Sequence, residues 1–199
     1  LDLSENPPAA PLGKYLKAAS FTDEAALKAF AEDVDIVTFE FENVPCETLK
    51  ILSQFKNVYP GVKALEVAQD RLLEKNLFTQ LGIETPKYQA ADTEEEFLAA
   101  VANVGIPCVV KTRKFGYDGK GQFRIREEKD VAQAWTALQG HPLIVESFVP
   151  FERELSVVAV RSLSGEIAWY PLTENVHREG ILHISKAPVP GVPDVIQQS

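Results

Sequence analysis

The chain has 199 residues, 45% of them hydrophobic and 25% charged, with 20 basic against 29 acidic side chains for a net charge of −9. That balance is ordinary for a folded globular protein and argues against a disordered chain, while the acidity opposes nucleic-acid binding, which needs a cationic face. Cys46 and Cys108 lie far apart without CxxC or Cys/His spacing, so they suggest neither a disulfide framework nor a zinc site and read as small buried hydrophobes. No apolar run approaches the length of a membrane span, and the opening LDLSENPPAAP lacks the pattern of a secretory leader. A cytoplasmic protein without membrane contact is expected. The chain starts at Leu1 and contains no methionine, which reads as an interior portion of a longer protein.

Residues 1–19 carry three prolines and no sustained period, which suits a loop. The stretch 20–23 (SFTD) offers N-cap oxygens ahead of an apolar helical stripe at Ala26, Leu27, Phe30 and Ala31. Residues 35–42 (DIVTFEFE) are β-branched and aromatic and predict a strand, on which Glu40 and Glu42 share one face and Phe39 and Phe41 the other. A helix over 45–55 and a short strand at 58–59 follow, giving the alternation of a parallel α/β sheet. The pattern over 61–82 is helical, with Gly82 at the position of a left-handed C-cap. Thr93 and Glu96 form a capping box ahead of the next helix. Two apolar runs at 106–110 and 122–125 then flank KTRKFGYDGKGQF (111–123), and a helix over 128–138 and a buried strand over 143–148 follow. Beyond them, 154–161 and 166–172 read as an antiparallel hairpin turning at Ser164-Gly165, with one more strand at 181–185.

The glycine-rich stretch carries the chemistry. It is neither GxxxxGK followed by Ser or Thr nor GxGxxG. Taken alone it fits a solvated hairpin loop as well as a flexible cover over phosphates, with glycines letting backbone N–H groups point inward and Lys111, Arg113, Lys114 and Lys120 balancing charge. The loop by itself leaves the two open.

The order of motifs decides between them. TFEFENV (38–44), DRLLEKNLFTQLGI (70–83), VVKTRKFGYDGKGQ (109–122), IVESFVPFERELSVV (144–158) and YPLTENVHREGILHISKAP (170–188) together resemble the ATP-grasp superfamily. Within it they are most similar to the N5-carboxyaminoimidazole ribonucleotide synthetase family of purine biosynthesis. The likeness covers nearly all of the chain after about residue 20. It implies an α/β fold with an α+β lid: the end of a Rossmann-like pre-ATP-grasp domain followed by an ATP-grasp domain, incomplete at both ends. Residues 1–60 would close the first domain, 61–85 form a helical connection, 86–148 the lid, and 149–199 the start of the catalytic subdomain.

The resemblance also implies roles. Lys111 would hold ATP phosphates as a point charge, Arg71 would add a second cation, and the loop from Gly116 through Tyr117, Asp118, Gly119, Lys120 and Gly121 to Gln122 would close above them. The backbone of Glu146, Ser147, Phe148 and Val149 would read the adenine edge, Glu154 would accept from the ribose hydroxyls, and His177 would complete the nucleotide site. Glu40 and Glu42 would join Tyr117 and Lys120 in binding aminoimidazole ribonucleotide. Lys120 stands where the family often has arginine, which weakens a two-bond phosphate grip. The catalytic work would fall to Lys111, Tyr117 and Lys120. Bicarbonate would be the other substrate and ATP with Mg2+ the cofactors, the metal ligands being expected outside this stretch. For that reason the stretch alone is not expected to turn over, and the parent is expected to be a homodimer. Two alternatives stay open: another ATP-grasp carboxylate–amine ligase, told apart by its amine acceptor, and a nucleotide-binding module without turnover.

Overall fold

The computed structural model describes residues 1–116, 120–178, 180–189 and 191. It divides into two compact units, Leu1–Thr85 with Arg113–Phe115, and Pro86–Thr112 with Gly116–Ser199.

In the first unit, α1 (Glu24–Glu32) begins where Asp23 turns its carboxylate onto the Ala26 amide at 3.1 Å. Its buried Leu27 and Ala31 pack with Leu49 and Leu52 and with Val37 and Val58. These come from α2 (Cys46–Leu52) and from two short strands, β1 (Ile36–Val37) and β2 (Asn57–Val58), paired in parallel. The parallel pairing agrees with the α/β alternation, but the strand expected over 35–42 stops at Val37. The last bond of this ladder runs from the Tyr59 amide to the Val37 carbonyl at 2.9 Å, and the residue pairing ends with Val37 and Val58. Without a partner, the Phe-Glu-Phe-Glu run leaves the sheet and turns. Glu40 and Glu42 therefore do not share a strand face.

The helical stretch over 61–82 is two helices, α3 (Val62–Ala68) and α4 (Arg71–Gln80). Asp70 separates them, taking extended φ/ψ (−124°, 109°) and accepting from the Leu72 amide at 3.0 Å as the α4 cap. Gly82 adopts φ +74°. With it, the Ile83 amide reaches back to the Phe78 carbonyl and the Gly82 amide to Thr79, a Schellman closure.

The second unit centres on a four-stranded antiparallel sheet of β3 (Tyr88–Ala91), β4 (Cys108–Thr112), β5 (Gln122–Ile125) and β6 (Leu143–Ser147), in spatial order β3-β6-β4-β5. Two helices, α5 (Glu94–Val104) and α6 (Asp130–Leu138), cover one face. The capping box of α5 is formed, with Thr93 accepting from the Glu96 amide and Glu96 from the Thr93 amide, and its three first-turn glutamates complement the helix dipole. Phe97 is fully buried and stacks on Trp135 with ring centroids 5.4 Å apart.

Beyond the sheet, β7 (Glu154–Ser156) pairs with β10 (Thr173–Arg178), which pairs with β11 (Ile181–Lys186), while β8 (Ala159–Arg161) and β9 (Ile167–Trp169) form a separate hairpin. The antiparallel hairpin expected over 154–172 is present in its inner part, where Ala159–Arg161 pairs with Ile167–Trp169 about a turn at Gly165 with φ +92°, whereas Glu154–Ser156 pairs with β10 in another sheet. Strand β10 carries no expectation from sequence, because TENVHR has a single apolar residue and shows no period of two. No helix among the described residues is long and apolar enough to cross a membrane.

Truncating Phe97 to Ala removes the largest fully buried side chain of the second unit's core. It is expected to cost about 3–5 kcal/mol in urea unfolding; a loss below about 1 kcal/mol would contradict this packing.

Candidate functional site

Strand alternation sorts the four-stranded sheet into two faces. Antiparallel partners share a face, so Val145, Val110 and Phe123 form one row and Leu143 with Thr112 another, on the side packed against the helices. The opposite face then carries Tyr88, Glu146, Val109 and Arg124 in one row and Ala90, Ile144, Lys111 and Gln122 in the next. Lys111 and Glu146 are diagonal neighbours there. The Lys111 ammonium lies 3.1 Å from the Glu146 carboxylate, which is only 7% exposed, against 27% for the lysine. A cation so held stands at a fixed place one residue from the strand end.

The Thr112 amide donates to the Gly121 carbonyl at 2.8 Å and closes the base of the glycine loop. Gly121 has φ +69°, and a Cβ there would meet Thr112 Oγ1 at 2.7 Å, so conformation and contact both demand glycine. Lys120 is exposed, Gly116 half-buried, and Gln122 begins β5 beside Lys111. Tyr117, Asp118 and Gly119 lie outside the described residues.

At the other end of the site face, the hinge expected to read a base edge is partly committed. The Ser147 amide donates to the Lys87 carbonyl at 2.8 Å and the Phe148 amide to Pro107 at 3.1 Å. The Val149 amide makes no backbone bond among the described residues. The donor capacity expected of 146–149 therefore narrows to Val149. Arg124 stacks its guanidinium 3.7 Å from the Phe148 ring centre and fixes that side chain, a contact absent from the sequence reading.

Glu154 on β7 and His177 on β10 are brought together, His177 Nδ1 lying 2.8 Å from Glu154 Oε2. Beside them a polar chain crosses three strands: Asn175 donates to Ser156 Oγ at 2.9 Å, and Ser185 Oγ donates to Asn175 Oδ1 at 2.8 Å. Arg153 grips Glu174 through two bonds, of 3.0 and 3.2 Å. The hydrogen bond from Arg153 is the main reason the Glu174 carboxyl is held below its ordinary range.

In the first unit, Arg71 opens α4 directly after its cap. Glu40 is exposed and lines a largely apolar cavity of about 670 Å3 with Val37, Phe39 and Phe41. Glu42 is held differently: Gln69 Nε2 donates to its carbonyl and to that of Val44, while Cys46 Sγ donates to Gln69 Oε1 at 3.3 Å. Cys46 is thus half-buried with a polar partner rather than a buried hydrophobe, whereas Cys108 is buried and its thiol pushed up to about 11 by desolvation.

Sequence reasoning also missed the pair that anchors the loop's root. Arg113, read as a phosphate-balancing cation, gives its guanidinium to Asp70 in two bonds of 3.0 and 2.7 Å. Burial is the strongest single influence on the Asp70 carboxyl and raises its pKa. The Arg113 bonds and charge, with the Leu72 and Leu73 amides, outweigh it and leave the pKa below the ordinary value. The stabilisation this gives is present above the unfolded carboxyl range and is lost as pH falls through the lower folded pKa. Two residues on, Phe115 takes φ 61°, an uncommon conformation for a bulky side chain. An Asp before a helix signals a cap, but nothing in the sequence pairs it with an arginine 43 positions away.

Family models match most of the chain. One of the ATP-grasp domain matches residues 76–199 and one of the ribonucleotide synthetase preATP-grasp domain residues 1–69. The chain belongs to the ATP-grasp family. It is 46% identical over 187 residues to the N5-carboxyaminoimidazole ribonucleotide synthase of Pseudomonas aeruginosa, covering 94% of this chain and 52% of that protein. Among solved structures it is similar to the N5-carboxyaminoimidazole ribonucleotide synthetase of Thermus thermophilus, with TM-score 0.90 and 45% identity over 99% of this chain and 53% of the other. The Aspergillus clavatus synthase, solved with ADP and 5-aminoimidazole ribonucleotide, aligns with TM-score 0.87 and 26% identity over 99% and 52% of the two chains. The chain spans about half the length of the curated relatives it matches.

Gly121→Ala meets both the positive φ and the Thr112 contact and is expected to destabilise by about 1–2 kcal/mol from backbone conformation alone. Urea unfolding that shifts by less than about 0.5 kcal/mol would show that the loop base is not closed in this way.

Proposed function

We propose that a protein carrying this sequence at the full length of its relatives carboxylates 5-aminoimidazole ribonucleotide with bicarbonate and ATP, forming N5-carboxyaminoimidazole ribonucleotide, ADP and phosphate. ATP phosphorylates bicarbonate to carboxyphosphate, and the aminoimidazole amine attacks the activated carboxyl carbon, releasing phosphate. The observation that carries this reading is Lys111, held by Glu146 on the sheet face opposite the helices at the root of a glycine loop, in a chain 46% identical to a synthase of this name.

Positioning and charge neutralisation would do most of the work. Lys111 and Arg71 meet phosphate oxygens, and the segment Gly116 to Gln122 closes over them and keeps water from the labile intermediate. The Val149 amide donates to the base edge. Glu154, with one oxygen engaged by His177, turns the other to the ribose hydroxyls. Tyr117 and Lys120 bind the second nucleotide, with Glu40 at the rim of the first unit's cavity and Glu42 in the adjoining turn. Magnesium would accompany the ATP phosphates and help neutralise their charge, with its protein ligands outside this stretch. The proposal includes a pre-ATP-grasp end over 1–60, a connection over 61–85, a lid over 86–148 and the catalytic subdomain from 149, in a cytoplasmic homodimer.

Release of ADP dependent on both aminoimidazole ribonucleotide and bicarbonate, measured on the full-length enzyme, tests the reading directly. Lys111→Ala is expected to lower kcat/KM for ATP about ten- to a hundredfold, the worth of one charge-assisted phosphate contact. Tyr117→Ala is expected to raise the KM of aminoimidazole ribonucleotide alone. ADP release indifferent to that substrate would overturn the proposal.

A further inference from the structure

Asp70 and Arg113 are charged groups to which the proposed reaction gives no role, yet Asp70 is 3% exposed and among the most buried charged side chains described. Its carboxylate performs two tasks at once. One oxygen accepts from the Leu72 amide at 3.0 Å, capping α4, and both oxygens accept from the Arg113 guanidinium. A further bond ties the same two segments through the backbone, as the Arg71 amide donates to the Arg113 carbonyl at 3.0 Å. The start of α4, where Arg71 stands, and the root of the glycine loop are therefore locked together by side chain and main chain.

We infer that Asp70 and Arg113 are a positioning pair, which holds Arg71 and the segment 113–115 in the arrangement that nucleotide binding needs without itself touching the nucleotide. A forked, two-bond contact fixes orientation as well as distance, which a lysine cannot do. The inference rests on the nucleotide site proposed above, but not on the identity of the second substrate. It also separates from the simpler idea that Arg113 is itself a phosphate cation. If Asp70 merely restrained such a cation, neutralising Asp70 would release Arg113 and tighten nucleotide binding. If the pair positions its neighbours, neutralising Asp70 loosens both segments and weakens binding.

The test uses the full-length protein and a non-hydrolysable ATP analogue, with affinity measured by calorimetry and amide hydrogen exchange followed at Arg71 and, as a reference for global stability, at the buried Leu27. Asp70→Asn is expected to weaken analogue binding at least tenfold and to speed exchange at Arg71 while leaving Leu27 unchanged. Arg113→Lys keeps the charge, loses the fork and serves where Asp70→Asn folds poorly; it is expected to show the same pattern at about threefold. Affinity that is unchanged or tighter in Asp70→Asn would overturn the inference. So would a loss of affinity accompanied by equal acceleration at Arg71 and Leu27, the signature of a purely structural pair. Analogue binding needs no second substrate, so failure of turnover with aminoimidazole ribonucleotide would sink the proposed reaction and leave this comparison standing.

Discussion

Helices packed on one side of the four-stranded sheet take its main apolar rows and leave the charged side chains to the opposite face, and that constraint arranges the second unit of this protein. Period-two alternation sends Val110, Val145, Leu143 and Ile125 into the helices and therefore sends Lys111, Glu146, Gln122 and Arg124 to the other face. The same residues that build the core thus determine where the chemistry stands. A one-residue slip between β4 and β6 would turn Lys111 inward and leave its charge among apolar side chains, a penalty large enough to fix the register.

Charge pairing then places the cations that the sheet and helices present. Lys111 is held by Glu146 and Arg113 by Asp70, and in each pair the carboxylate is the more buried partner. Such pairs contribute little net stability, because desolvation offsets most of the attraction, but removing one member leaves a buried charge uncompensated. Their value here is orientation. Strand-end lysines are otherwise mobile, and a loop whose root takes the strained conformation of Phe115 needs an anchor close by.

Much of this was legible in the residues themselves. Local signals were sound: the Thr93–Glu96 box, the Gly82 closure, the Asp23 cap and the apolar runs on either side of the glycine loop all depend on neighbours within a few positions. What failed depended on distant partners. DIVTFEFE has strand propensity throughout, but a strand lasts only as long as its partner, and that partner ends at Val58. β10 has almost no apolar period and becomes a strand because β7 and β11 flank it. At the site, Lys111, Glu154 and His177 carried motif signals, whereas the engagement of the Ser147 and Phe148 amides and the Asp70–Arg113 grip exist only once distant segments meet.

In the proposed function the face of the four-stranded sheet opposite its helices, with the segment 146–149, holds the nucleotide. A crystal structure of the full-length protein with ADP tests it most directly. The account predicts a phosphate oxygen within hydrogen-bond distance of Lys111 Nζ, the adenine edge accepting from the Val149 amide, and a ribose hydroxyl donating to Glu154. ADP bound elsewhere, or bound with Lys111 still closed on Glu146 and the Val149 amide turned to solvent, would contradict it.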